Sequence, residues 1–273
     1  MKVVTLMENT ACGEGLSASH GLSLYLEAGA HKILFDMGPD QEFLRNAERL
    51  GVDLRAVDTA VLSHGHYDHG GGLSLFGLLN DRAEIYLHPA AFQEYYALMP
   101  GEEAEYIGLD QGMSRKRFTL TGREKVIDGE LTLFAEVADQ TGALRASARL
   151  FTRTFDGFLR DTFPHEQNLL ITAEGKSVLV AGCAHCGIVN ILREAERRLG
   201  RRPDAVFGGF HLFQLTAGEP EADALIDETG RALLEGDTVY YTGHCTGDYA
   251  YDRLKTMLGG RLHRLRGGVT VEL

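Results

Sequence analysis

Short apolar runs bounded by glycine or polar residues open the chain. Val3–Leu6, Leu22–Glu27 and Lys32–Phe35 have the length and flanking turns of β-strands. From Asp40 to Leu50 the period changes: Phe43, Leu44, Ala47 and Leu50 share one helical face, and Gly51 closes it. Ala56–Leu62 predicts a strand, Leu73–Leu79 a short helix, Glu84–His88 a strand and Pro89–Met99 a helix. Leu131–Val137 and Ala148–Thr154 predict strands, as do Asn168–Thr172 and Ser177–Ala181, the last two joined through Glu174 and Gly175. Ile188–Leu199 is an amphipathic helix with Ile188, Ile191, Leu192, Ala195 and Leu199 inward. Ala205–Phe207 and Thr238–Thr242 predict strands, Glu219–Leu234 and Tyr249–Leu258 helices, and strands finish the chain. No repeat or low-complexity linker interrupts the series. Such a pattern predicts an α/β chain whose sheets pack face to face with helices outside.

Composition sharpens this picture. At 273 residues the chain can bury a large core as one domain, 1–273. The 33 glycines exceed the usual frequency of about 7%, as expected of a loop-rich fold with many close backbone approaches. A formal net charge of -12 disfavours nucleic acid and anionic membrane surfaces as partners, leaving a small-molecule substrate. The start MKVVTLMEN lacks the apolar core of a signal peptide, and no apolar run is long enough to span a bilayer. Four cysteines, Cys12, Cys183, Cys186 and Cys245, form no secreted disulfide pattern, so a reducing cytoplasm is the expected location. Nothing in the chain specifies an oligomeric state.

The chemistry concentrates in VLSHGHYDHGGGL. Here His64, His66, Asp68 and His69 place four nitrogen and oxygen donors within six residues, directly after an apolar strand. Glycines 70–72 are expected to allow a sharp backbone path. His185 in AGCAHCG and His244 in YYTGHCTG also follow predicted strands.

The H-x-H-x-D-H pattern after a strand resembles the metallo-β-lactamase superfamily. That resemblance implies an αβ/βα sandwich. It also implies one metal held by His64, His66 and His185 and a second by Asp68, His69 and His244. Each site would keep a position open for water or substrate. Asp36 in ILFDMG matches an aspartate that steadies a metal-binding histidine from behind. One to two divalent transition ions are implied, zinc first, with manganese or iron as alternatives. HGLS, GCAHCGIVN, GGFHL and HCTG further resemble a subgroup containing dihydropterin–ribofuranosyl-aminobenzene-phosphate synthase and bacterial metal-dependent hydrolases.

This implies a metal-dependent hydrolase acting on a small anionic or phosphorylated metabolite. The rival is a transferase condensing a dihydropterin diphosphate with a ribofuranosyl-aminobenzene phosphate, with Tyr95, Tyr96 and Tyr106 as a candidate aromatic pocket; a non-catalytic metal-binding module is a further alternative. A nuclease is disfavoured by the charge, and a diiron oxygen-reducing enzyme by His66, which stands where such sites carry glutamate. Asp68 and His211 are the candidate catalytic residues. His211 is a departure, since the superfamily usually places a bridging aspartate at that point. His20, Arg115, Arg117 and His165 are candidate substrate contacts, and residues from about 89 to 165 are expected to form a substrate-side insertion. The cysteines beside the histidines are expected to be packing residues.

Overall fold

The structure is a computed structural model that describes residues 1–98, 101, 103–213, 215 and 217–273. Two seven-stranded sheets face each other. The first has the spatial order Thr270–Glu272, Lys2–Met7, Ser23–Ala28, His31–Phe35, Thr59–Val61, Glu84–Leu87 and Phe118–Leu120. Its first four strands are antiparallel and the rest parallel. The second runs Leu262–Arg264, Val239–Thr242, Ala205–Phe207, Lys176–Val180, Gln167–Ala173, Leu131–Ala135 and Glu124–Val126. There the first four are parallel and the others antiparallel.

The period-two alternation of side chains explains why both faces of each sheet are apolar. Leu24, Leu26, Ile33, Phe35 and Val61 meet Leu169, Ile171, Val178, Val180 and Phe207 between the sheets. The intervening residues Tyr25, Leu34 and Ala60 face outward under the helices Glu42–Arg49 and Leu73–Leu79. Leu170, Leu179 and Val206 face outward under Ile188–Leu199, Pro220–Leu234 and Asp248–Leu258. The expected sandwich with outer helices is therefore the observed architecture. Among the described residues no helix is long and apolar enough to cross a membrane.

Two expectations fail between residues 89 and 165. Pro89–Met99 is not a helix: a 3-10 turn, Pro89–Phe92, is followed by the strand Tyr95–Ala97, while Met99 lies outside the described residues. Nor is the stretch one insertion. Phe118–Leu120 extends the first sheet, and Glu124–Val126 and Leu131–Ala135 extend the second. What stands apart is a four-stranded sheet of Gly157–Arg160, Leu150–Thr154, Tyr95–Ala97 and Glu105–Tyr106. It is tied to the histidine-rich motif by a bridge between His66 and Gly108.

Candidate metal centre

The parallel strands deliver the functional residues to one end of the sandwich, where strand carboxyl ends leave a crevice. Asp36 follows His31–Phe35, and Ser63 to His69 follow Thr59–Val61. Cys183 and His185 follow Lys176–Val180, His211 follows Ala205–Phe207, and His244 follows Val239–Thr242. Asp36, Ala184, His211 and His244 all adopt positive φ, at 58°, 57°, 45° and 49°. Non-glycine residues held there cost on the order of 1 kcal/mol each and persist where the surroundings impose them.

Glycine is required within the motif by space. A Cβ at Gly65 would strike the Ala91 carbonyl, and one at Gly71 the Pro39 carbonyl. None of glycines 70–72 has positive φ, so close approach, not turn conformation, explains that run.

Each of four imidazoles is anchored through Nδ1, which leaves Nε2 turned inward. His69 Nδ1 donates to Asp36 Oδ2 at 2.6 Å. The hydroxyl of Ser63 donates to the same carboxylate at 2.7 Å, so its oxygen accepts from His64 Nδ1 at 2.8 Å. His244 Nδ1 donates to Asn9 Oδ1 at 2.9 Å. Ser147 Oγ lies 3.2 Å from His185 Nδ1. The freed nitrogens then meet in pairs: His64 Nε2 is 3.3 Å from His185 Nε2, and His69 Nε2 is 3.2 Å from His244 Nε2. His66 Nε2 is buried beside the first pair with no hydrogen-bond partner, and both ring nitrogens of His211 are equally bare. Buried ring nitrogens left without a partner, as in His66 and His211, are unfavourable in a dry site unless a ligand meets them. The donor set therefore fits metal ions: His64, Cys183 and His185 form one group, Asp68, His69, Cys183 and His244 another, while a donor atom of His66 lies with those of Asp161 and His165.

The electrostatics divide the imidazoles of the metal-free site into two kinds. Burial, reinforced by neighbouring imidazoles, holds His64 and His185 well below the usual histidine pKa and lowers His66 to about 3. These rings are neutral donors at neutral pH. Burial also opposes protonation of His69, but the carboxylates of Asp36 and Asp68 outweigh it and push the pKa up to about 9. Burial opposes ionisation of Asp68, yet His69 and His244 hold its carboxyl well below the ordinary range. Its Oδ2 lies 3.2 Å from His244 Nε2 and 3.4 Å from His20 Nε2.

His66, Asp68, Cys183, His185, His244 and Cys245 line a cavity of about 200 Å³ together with Tyr67, Ala97, Glu105, Ile107, Leu150 and Phe213. His20, half exposed, stands at its mouth with its ring 4.7 Å from that of His244. His211 faces the same cavity, 4.0 Å ring to ring from His185.

Three candidate substrate residues lie elsewhere. Arg117 is held by the carbonyls of Gly77 and Asn80, each at 2.7 Å, at the end of the helix Leu73–Leu79. Arg115 covers the Phe92 ring at 4.2 Å. Neither of these candidate substrate contacts lines the cavity: unpaired helix carbonyls hold Arg117 and an aromatic face holds Arg115. Arg117→Ala is accordingly expected to lower stability by about 1 kcal/mol. Metal content and turnover should stay unchanged, as thermal melting and steady-state kinetics would show. His165 is fully buried and does not line the cavity. It accepts from the Gly65 N–H at 2.8 Å through Nδ1 and donates to Asp161 through Nε2 at 3.0 Å, so it braces the motif from below. Glu166 is buried too, accepting from the backbone N–H groups of His185 and Cys186 at 2.6 and 2.9 Å.

The sequence carried no signal for Glu8 and Asn9. Glu8 accepts from the His244 N–H and Asn9 fixes the His244 ring, though both lie in the first strand's exit, far from any motif. Cys183, expected to be packing, lies with its sulfur 3.1 Å from His69 Nε2.

Residues 17–244 match the sequence model of the metallo-beta-lactamase superfamily. The chain belongs to that superfamily. Its fold is metal-dependent, and the residues gathered above are the candidate ligands of this metallo-beta-lactamase domain. It is 29% identical, over 299 aligned positions, to 7,8-dihydropterin-6-methyl-4-(beta-D-ribofuranosyl)-aminobenzene-5'-phosphate synthase of Methanocaldococcus jannaschii. That alignment covers 100% of this chain and 96% of the relative. Among solved structures, Tm1679, described as a metal-dependent hydrolase of the beta-lactamase superfamily, matches with a TM-score of 0.81 and 28% identity, covering 100% of this chain and 99% of the other. Zn(2+)-bound PqqB from Methylobacterium extorquens shares the fold at a TM-score of 0.55 and 13% identity, with 100% of both chains covered.

Proposed function

We propose that this chain is a metal-dependent hydrolase acting on a small anionic or phosphorylated metabolite. His64, His66 and His185 would hold one divalent transition ion, and Asp68, His69 and His244 a second. The observation that carries this reading is the inward pairing of Nε2 atoms whose Nδ1 atoms are all engaged, beside the unpartnered Nε2 of His66. Zinc suits the nitrogen-rich set, with iron or manganese as alternatives.

When bound, such an ion lowers the pKa of water towards 7 and polarises a carbonyl or phosphoryl oxygen. The rest falls to the chain's own side chains. Asp68, ionised and facing the cavity, accepts a hydrogen bond from the attacking water and orients it. His211, which lines the same cavity, offers a ring nitrogen to substrate. His20 contacts the outward part of the substrate, and Ala97, Ile107, Leu150 and Phe213 exclude bulk water. No lysine or arginine is among the lining residues. An anionic substrate group would therefore be neutralised at the centre itself.

A transferase is the second reading, favoured by the full-length similarity to the archaeal synthase. The cavity of about 200 Å³ weighs against it, being below the roughly 300–1,000 Å³ of sites that enclose ligands of that size. Tyr95 is not free to hold a pterin: its ring stacks on His165 at 4.1 Å and its hydroxyl donates to the Ala90 carbonyl.

The test is metal analysis of freshly purified protein, followed by a panel of phosphodiesters, lactones, thioesters and pterin phosphates. Hydrolysis lost on chelation and restored by zinc is expected. Condensation of a pterin diphosphate with an aminobenzene acceptor, without hydrolysis of the other substrates, would decide for the transferase. His211→Ala should lower kcat by more than about tenfold, or 1.4 kcal/mol of barrier, with an unchanged melting temperature. Wild-type turnover in that variant would remove His211 from the mechanism.

A further inference from the structure

The proposed pair of ions raises a charge problem that its six ligands do not solve. Two divalent cations held about 3.5–4 Å apart repel strongly, and a carboxylate shared between them normally relieves this. Here that position carries His211, whose imidazole has one lone pair to give and cannot be shared. Asp68 is the only carboxylate in the two donor groups of the centre.

Cys183 stands where the missing anion is needed. Its sulfur lies within 4.8 Å of the donor atoms of His64 and His185, within the same reach of those of Asp68, His69 and His244, and also near His211 and Cys245. No other side chain in these clusters belongs to both metal groups. The sulfur is 3.1 Å from His69 Nε2, and the Cys183 side chain lines the cavity between the two imidazole pairs.

The backbone fixes this placement. A Cβ at Gly182 would strike Ser63 Oγ, so the loop lies tight against the motif. Gly209 donates to the Gly182 carbonyl at 2.7 Å, and Glu166 clasps the next turn through His185 and Cys186. The bare, buried nitrogens of His211, which shares a donor cluster with Cys183, indicate a ligand among these groups. A packing role for Cys183 explains none of them.

We propose that Cys183 is a metal ligand, its thiolate supplying the centre with the negative charge that the absent carboxylate would give. This rests on the metal-centre reading above. Sulfur is large and polarisable and carries lone pairs enough for two cations, which an imidazole lacks. The thiol proton leaves to solvent as metal binds, as it does for any coordinating cysteine. A sulfur donor would also bias the centre towards zinc, iron or cobalt over magnesium or manganese.

Cobalt(II) titration of the metal-free full-length protein tests this without any substrate. Wild type should develop weak visible bands and, with them, an intense near-ultraviolet sulfur-to-cobalt charge-transfer band. Cys183→Ser should lose the near-ultraviolet band, keep visible bands and bind the second equivalent at least about tenfold more weakly, as loss of even an outer partner does. Cys245→Ser should retain the near-ultraviolet band. Visible bands without charge transfer in wild type would overturn the thiolate while leaving the metal centre standing. So would a band that survives Cys183→Ser or disappears only in Cys245→Ser. Absence of all cobalt bands in wild type would refute the metal centre and the thiolate together. If Cys183→Ser fails to fold, X-ray absorption of the zinc-loaded wild type gives the same decision. A sulfur scatterer at about 2.3 Å supports the proposal, and a shell of nitrogen and oxygen alone at about 2.0–2.2 Å overturns it.

Discussion

Asp68→Ala is expected to lower turnover by about a thousandfold or more, near 4 kcal/mol of barrier, while the protein keeps its fold. Asp68 is the one ionised carboxylate facing both the cavity and the second imidazole pair. Its Oδ2 lies 3.2 Å from His244 Nε2 and 3.6 Å from His69 Nε2. Removing it takes away a ligand, a negative charge beside the proposed cations and the acceptor that orients water. The fold should survive because the side chain borders the cavity and no apolar core packs on it. The structural tie of the residue is its backbone carbonyl, which accepts from the Leu22 N–H and is unaffected by the substitution. Asp68→Asn keeps the shape without the charge and should lose nearly as much, which separates charge from packing. The measurements are kcat/KM on whichever panel substrate responds, metal equivalents after dialysis, and a melting curve. Near-wild-type turnover at full metal content would rule out Asp68 as ligand and water acceptor.

Much of this centre was legible because it is written locally. His64, His66, Asp68 and His69 lie in one turn, and Asp36, His185 and His244 each follow an apolar strand, so linear spacing reveals them. The helix Ile188–Leu199 was legible in the same way, since one face is apolar through its length. What escaped depends on long-range pairing. The segment Ala90-Ala91-Phe92-Gln93-Glu94-Tyr95-Tyr96-Ala97 is too short and evenly apolar for a period to decide. It becomes strand over Tyr95–Ala97 because Leu150–Thr154 arrives beside it. His165 and Glu166 carry no sequence mark of burial, and are buried because the chain folds them beneath Gly65 and Cys186. Arg115 and Arg117 read as candidate substrate contacts because a run of cations does not show which carbonyls or rings will capture it. Asn9 is separated from His244 by 235 residues, and no pattern of one could announce the other.

Asp36→Ala should produce the largest loss of stability, about 3–5 kcal/mol, together with a 10–100-fold loss of affinity for the second metal. The carboxylate is fully buried and accepts three hydrogen bonds: Ser63 N–H at 2.7 Å, Ser63 Oγ–H at 2.7 Å and His69 Nδ1–H at 2.6 Å. Alanine strands all three donors in a dry interior, where each unmet group is unfavourable by about 1–3 kcal/mol. It also frees Ser63, so the His64 ring loses its brace as well as His69. Both metal groups are thus steadied by one side chain that touches neither cavity nor substrate. Alanine would also sit at φ 58°, where it adds on the order of 1 kcal/mol of backbone strain. Asparagine tolerates that conformation and keeps one acceptor oxygen, so Asp36→Asn should recover much of the stability. It should not recover the affinity, because its amide offers one acceptor oxygen where the carboxylate offers two, and no negative charge to strengthen His69 as a donor to metal. Denaturant titration of the metal-free proteins reads the first effect, and competition against a chelator of known affinity reads the second. An alanine variant as stable as wild type, or one that binds metal equally well, would show that Asp36 merely ends a strand.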